Sequence, residues 1–368
     1  MIRPVLPVAR GRTRAEGPAA RSRAQSPLFA PATARSVARV LVIAELGVNH
    51  DGDPQRAVDL VRLAAEAGAD AIKLQLFDPE HLLANQARLA PYQERAATDL
   101  FSMLQGLQLG PSAMARVRDA AGARGLGFIV TLFSLPDLGV LRDLDVDAVK
   151  IASPDAVNHP LLRAADSLDR PLLVSTGTCD LEELCFAAEL LHQRTPGGCL
   201  LQCVSSYPTD PQDAAIGGLV ALGARFGLPV GYSDHTQELH TGALAVAAGA
   251  CVIEKHLTHD RTAAGPDHRT SLEPDDLAHY VALVRRASQM LGPLAKNPGP
   301  KETDVRQVSR QSLCARRDLE AGRILGAADL AIKRPGTGIP AAALDRTLGQ
   351  RLRRPVRTND LLMPEDLA

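Results

Sequence analysis

From residue 39 onward the chain repeats one rhythm: a short, nearly continuous apolar run, then a longer stretch with helical periodicity. The runs are VLVIAE (40–45), DAIKLQL (70–76), GFIVTL (127–132), DAVKIA (147–152), PLLVST (171–176), CLLQCV (199–204), PVGYSD (229–234) and CVIEKH (251–256). Half-exposed strands alternate apolar with polar residues. Near-continuous apolar runs mark parallel strands covered on both faces. The gaps supply helices. Residues 53–68, DPQRAVDLVRLAAEAG, place Asp53 as N-cap, Pro54 at the first helical position and Gly68 past the end. Ala57, Val58, Val61, Leu63 and Ala64 line one side of that helix. Eight strand–helix units predict an α/β fold, a closed (β/α)8 or TIM barrel over residues 39–290. An open doubly wound sheet is the alternative. It would carry a glycine-rich phosphate loop after its first strand, and ELGVNHDG is not one.

Three segments break the rhythm. The gap at 77–126 is long, and an insertion after a barrel strand is expected over the mouth. Residues 291–311, rich in Pro, Gly and Lys, read as a linker. Residues 312–368 form a small second domain with an internal repeat: ARRDLEAGRILGAADL (315–330) aligns with LRRPVRTNDLLMPEDL (352–367) at a spacing of 37. So short a domain has a marginal core, which predicts that it packs on something.

Composition narrows the picture. Net charge is −1, which gives no reason to expect nucleic acid or an anionic membrane as partner. No apolar run is long enough to span a bilayer. The six cysteines form no C-x-x-C and read as reduced, buried thiols of a cytoplasmic protein. Residues 1–38 hold seven arginines and one acid, Glu16. They read as a disordered extension or an upstream-start artefact, with an organelle transit peptide as the alternative. They are set apart from the fold.

In a barrel of this kind the active site lies at the carboxyl ends of the strands. Every predicted strand ends in polar groups there: Glu45; Lys73 and Gln75; Thr131; Lys150 and Ser153; Ser175 and Thr176; Gln202, Ser205, Ser206 and Tyr207; Ser233, Asp234 and His235; Glu254, Lys255 and His256. Buried charges need partners, so such a set implies a common ligand. Lys73 and Lys150, in the similar contexts AIKLQ and AVKIA, could cradle a phosphate or carboxylate with Thr131, Ser153, Ser205 and Ser233. His235 and His256, on adjacent strands, suit a divalent metal with water-filled positions left open. Glu45 could serve acid–base chemistry or hold a polyol. In the loop after the last strand, His259 and His268 are expected to be exposed, and Asp267 is either a turn residue or a functional one.

IAELGVNHDG, AGADAIKLQ, KIASPD, STGT, CVSSYPTDP, GYSDHT, EKHLT and GPDHRTS, in this order, resemble the sialic acid synthase family. Its bacterial members carry a (β/α)8 barrel followed by a small antifreeze-like (SAF) domain, to which KRPGTGI (333–339) and its flanking repeat are similar. The resemblance covers residues 39–368. It implies a transferase that condenses phosphoenolpyruvate with an N-acetylated hexosamine. The acceptor would be N-acetylmannosamine, giving N-acetylneuraminate and phosphate; the alternative is a legionaminate or pseudaminate synthase acting on a diacetamido hexose. By position, phosphoenolpyruvate would be held by Lys73, Thr131, Lys150, Ser153, Ser205 and Ser233, and the sugar by Gln75, Tyr207, Asp267 and Arg334. Glu45, His235 and His256 would be catalytic. The two histidines would bind a divalent cation, manganese, with magnesium or cobalt as alternatives. Arg334 would be inserted by the second domain of a partner subunit, implying a domain-swapped homodimer. Two departures bear on substrate choice: SPD (Ser153–Asp155) stands where members often carry SGE, and Ser205 where some carry asparagine.

Overall fold

The computed structural model describes residues 39–90, 93–95, 97, 99–193, 197–292 and 295–368; the extension predicted over 1–38 lies outside the described residues. Eight parallel strands close a barrel in sequence order: β1 Leu41–Gly47, β2 Ala71–Leu76, β3 Gly127–Leu132, β4 Ala148–Ile151, β5 Leu172–Ser175, β6 Gly198–Cys203, β7 Val230–Asp234 and β8 Val252–His256. Closure comes from β8 pairing with β1, with Glu45 opposite His256.

Side chains of a strand point alternately to its two faces, so parity decides what each residue sees. Along β1, Val42, Ala44 and Leu46 pack against the helices, while Leu41 and Ile43 fill the lumen. Ile129, Leu173, Leu201 and Val252 join them to make an apolar floor. Above that floor the inward positions turn ionisable. Glu45 pairs in register with Lys73, Thr131 with Lys150, and Ser233 with Glu254.

The helical layer follows the predicted signals. Helix Pro54–Glu66 begins where the Asp53 carboxylate accepts from Gln55 N at 2.7 Å, and it buries Ala57, Leu60, Val61 and Ala64. Burying a leucine such as Leu60 contributes about 2 kcal/mol. The long gap folds as helices Pro79–Leu82, Leu100–Leu107 and Pro111–Ala123. Leu107 clusters with Val48 and Phe77, and Leu82, Met103, Leu104 and Phe133 pack around them.

Near residue 293 the chain divides into two compact units. The stretch expected as linker includes a helix, Glu302–Ser309. In the second unit β9 (Ser312–Ala315) and β10 (Leu330–Lys333) pair antiparallel, over a core that includes Leu313, Leu319, Leu325, Leu352 and Leu362. The internal repeat is a structural one. Gly326 N donates to Asp329 Oδ2 at 2.9 Å, and Met363 N donates to Asp366 Oδ2 at 2.7 Å. Each carboxylate also grips an arginine upstream, Arg317 and Arg354 respectively. The Gly326 amide and Arg317 hold Asp329 down at a pKa of about 2.

Candidate active site

A cavity of about 710 Å³ opens at the carboxyl ends of the barrel strands. Glu45, Lys73, Gln75, Thr131, Lys150, Ser153, Ser205, Tyr207, Ser233, His235, His256 and Asp267 all line it. The predicted insertion does reach the mouth: Leu82, Leu83, Met103, Leu104 and Leu107 form an apolar part of the wall. Arg334 follows β10 in the second unit and is exposed.

The deepest polar layer is a network of opposite charges. Lys73 Nζ lies 2.7 Å from Glu45 Oε2 and 3.7 Å from Glu254 Oε1. It also donates to Thr131 Oγ1 at 2.9 Å. Lys150 Nζ lies 3.5 Å from Glu254 Oε2, and Ser233 Oγ donates to Glu254 Oε1 at 3.1 Å. Gln75 Nε2 donates to the other Glu45 oxygen at 2.9 Å. Gly47, at φ +41°, leaves room for that carboxylate; a Cβ there would stand 2.6 Å from Glu45 Oε1.

These neighbours set the protonation states. Burial opposes the charge on Glu254, yet Lys150 and Lys73 together hold it down at about 2. Burial pushes Glu45 above the usual carboxylate range, Lys73 opposes this, and Glu254 adds to it. Lys73 is weakened by burial but raised overall by Glu254 and Glu45. Lys150 is lowered, because burial outweighs its Glu254 partner. Asp267 is pushed up to about 7 by burial and by the Glu45 charge.

Higher in the mouth two imidazoles meet edge to face, ring centroids 5.5 Å apart, with the Tyr207 ring tilted against His235 at 4.2 Å. His235 Nδ1 donates to the Val204 carbonyl at 2.7 Å, which leaves Nε2 with its lone pair. Burial holds His235 at about 4 and His256 well below its ordinary value, so both rings are neutral. His256 Nδ1 is buried without a hydrogen-bond partner, 3.6 Å from Asp267 Oδ2. Neutral rings, one oriented by a backbone carbonyl and one with an orphaned nitrogen, fit a cation site. Among the described residues no cluster of three or more His, Cys, Asp or Glu is spaced for a metal. The ring nitrogens of His235 and His256 are the groups here that could hold an ion.

Parity corrects the strand-end inventory. Lys255 and Asp234 point outward and pair at 3.0 Å beneath the Tyr280 hydroxyl, which donates to Asp234 at 2.8 Å. Gln202 also faces outward, packed on Gly218. His259 is exposed as expected, but His268 is fully buried, because the loop folds back over it. Glu254, which sequence reasoning placed at a strand end without a role, is the centre of the charge network. Its separation of two from His256 was the available signal, since residues i and i+2 share a face. The cysteines are all free, although Cys179, Cys185 and Cys251 are only partly buried.

Paired ammonium and carboxylate groups under an open mouth, on a closed parallel barrel, make this a (β/α)8-barrel enzyme. The NeuB family matches residues 60–296 and the SAF domain residues 310–368. The chain belongs to the NeuB family and is a group-transferring enzyme, a synthase. It is 38% identical over 319 residues to the N,N'-diacetyllegionaminic acid synthase of Legionella pneumophila, covering 84% of this chain and 90% of that protein. With the N-acetylneuraminate-9-phosphate synthase of Mus musculus it shares 30% over 330 residues, covering 89% and 92%. Among solved structures it resembles the N-acetylneuraminic acid synthetase of Leptospira borgpetersenii in complex with citrate. That match has a TM-score of 0.67 and 32% identity, covering 73% of this chain and 90% of the other.

Proposed function

We propose that this enzyme condenses phosphoenolpyruvate with an acetamido hexose: C3 of phosphoenolpyruvate bonds to the sugar's aldehyde carbon, water adds at C2, and phosphate leaves by C–O cleavage. One observation carries the reading. Two buried lysines, ringed by the hydroxyls of Thr131, Ser153, Ser175 and Ser233, sit directly below two neutral imidazoles in one cavity. An anion can lodge in the lower layer while a carbonyl compound occupies the upper one.

Both lysines already face carboxylates, so an incoming anion must share them. Lys150 has the longer ion pair, at 3.5 Å, and is the freer to turn to a phosphate. Glu45, its carboxyl held high, can take up a proton as negative charge enters, and Gln75 keeps it aimed at the cavity. Asp267 and Tyr207 stand at the level of the imidazoles, where they can orient sugar hydroxyls. A divalent cation held by His235 and His256, manganese in this reading, would polarise the sugar's carbonyl oxygen as a Lewis acid. Holding both reactants in register is the main gain.

The acceptor is a diacetamido hexose rather than N-acetylmannosamine in our preferred reading. The relative at 38% identity bears the legionaminic name. The apolar wall of Leu82, Met103, Leu104 and Leu107 also suits a second acyl methyl better than a hydroxyl. The test is phosphate release from phosphoenolpyruvate with manganese and a panel of acetamido and diacetamido hexoses, the keto acid being weighed by mass spectrometry. Release with no sugar of the panel would refute the condensation. A higher kcat/KM for N-acetylmannosamine would reverse the choice of acceptor.

A further inference from the structure

The loop that carries Asp267 is tied to the turn after β1 by polar contacts that the chemistry above does not use. Its root is laced first: Leu257 N donates to Glu45 O, and Leu272 N to His256 O, both at 2.9 Å. Asn49 then reaches across from the β1 turn. Its Nδ2 donates to Leu257 O at 2.9 Å and to Ser271 Oγ at 2.8 Å. Ser271 Oγ in turn donates to the Asp267 carbonyl at 2.7 Å, and Thr270 Oγ1 does so at 3.0 Å.

His268, adjacent to Asp267, is clamped from both sides. Nε2 lies 2.8 Å from Asp51 Oδ1, and Nδ1 lies 2.7 Å from Thr258 Oγ1. A carboxylate only accepts, so Nε2 carries the hydrogen. Asp51 is itself paired with Arg56. The imidazole also acts as a platform. A Cβ on Gly265 would stand 2.6 Å from its Cδ2, so the chain entering Pro266 and Asp267 rests on the ring. Both Pro266 and Asp267 line the cavity.

We propose that His268, held between Asp51 and Thr258, is a positioning residue that fixes Asp267 over the acceptor sugar. With Asn49 and Ser271 it forms one frame, which makes the turn at residues 49–51 a determinant of sugar binding. The inference rests on the proposed role of Asp267 as a sugar contact. Among the described residues no side-chain hydrogen bond or ion pair joins Lys73, Lys150 or Glu254 to His268, Asn49, Ser271 or Asp51. The frame meets the lower network through the backbone bond of Leu257 N to Glu45 O. Loss of the His268 ring leaves that bond in place, so phosphoenolpyruvate binding should survive the loss.

In the full-length protein His268→Ala should raise the sugar KM roughly tenfold or more, the cost of an ångström-sized misplacement. The dissociation constant for phosphoenolpyruvate, measured by calorimetry without sugar, should stay at the wild-type value. Asp51→Ala should reproduce the loss. Asp51→Asn keeps an oxygen for the Nε2 hydrogen and should restore the wild-type sugar KM. Gly265→Ala deletes no hydrogen bond, yet it should raise the sugar KM because the loop must lift off the ring. An unchanged sugar KM in His268→Ala, or loss of phosphoenolpyruvate affinity along with it, would overturn the inference. If wild-type protein released no phosphate with any sugar, the underlying reaction would be wrong instead, whatever the variants did.

Discussion

Glu254 shows how much one side chain can depend on its neighbours. It holds two ammonium groups at 3.7 and 3.5 Å, and without it both lysines would be buried beside one carboxylate. Glu254→Gln keeps the shape and removes the charge. Both lysines then lose their proton at lower pH than in the wild type, Lys150 first, because burial already lowers it. The alkaline limb of kcat/KM for phosphoenolpyruvate should therefore move to lower pH. At neutral pH the value should fall about a hundredfold, the usual cost of an electrostatic partner. A profile superimposable on the wild type would show that the carboxylate does not tune the lysines. Lys73, Lys150 and the two histidines were legible in the sequence because ionisable residues inside apolar strands are costly and need a reason. Glu254 was not, because in VIEKH three charged or polar residues are adjacent and only the barrel's parity separates inward from outward ones. His268 was misread because nothing local shows that the loop closes over it.

Strands and turns do the aiming. β1 delivers Glu45 and then turns at Gly47, whose φ of +41° and missing side chain make room for that carboxylate. Gly47→Ala should displace Glu45 from Lys73 and Gln75. We expect a loss of about 1–3 kcal/mol in denaturant stability from the strained backbone. Turnover should drop more than that stability loss can account for. Full activity in this variant would mean that Glu45 tolerates movement. The barrel strands and helix Pro54–Glu66 were readable, since apolar runs, an N-cap and a terminal glycine are local signals. The gap at 77–126 was foreseen as helical and as an insertion over the mouth, but the way its helices divide between cavity wall and core was not. Their amphipathic faces serve the cavity wall as much as the core, so periodicity alone could not place them. In the second unit the repeat at a spacing of 37 was visible as sequence, but its purpose was not. Asp329 and Asp366 each tie a turn and an arginine together, a role that looks like ordinary surface charge until the backbone folds around it.

The whole barrel is asymmetric from end to end. Leu41, Ile43, Ile129, Leu173, Leu201 and Val252 plug one end with hydrocarbon, and the inward carboxylates, lysines and histidines of the cavity lie toward the other. Sequence reasoning reached the class of fold and the family because both depend on the order of many short signals. The choice of acceptor sugar depends on a few side chains around a rim, and that order does not encode it.

A flask with a single neck fills and empties in a fixed order. The molecule seated lowest must go in first, and whatever is left at the bottom cannot pass the one above it. With phosphoenolpyruvate on the lysines, the keto acid should depart before the phosphate. Inorganic phosphate should then compete with phosphoenolpyruvate and not with the sugar, and a product-inhibition pattern showing the reverse would mean that the barrel has a second exit.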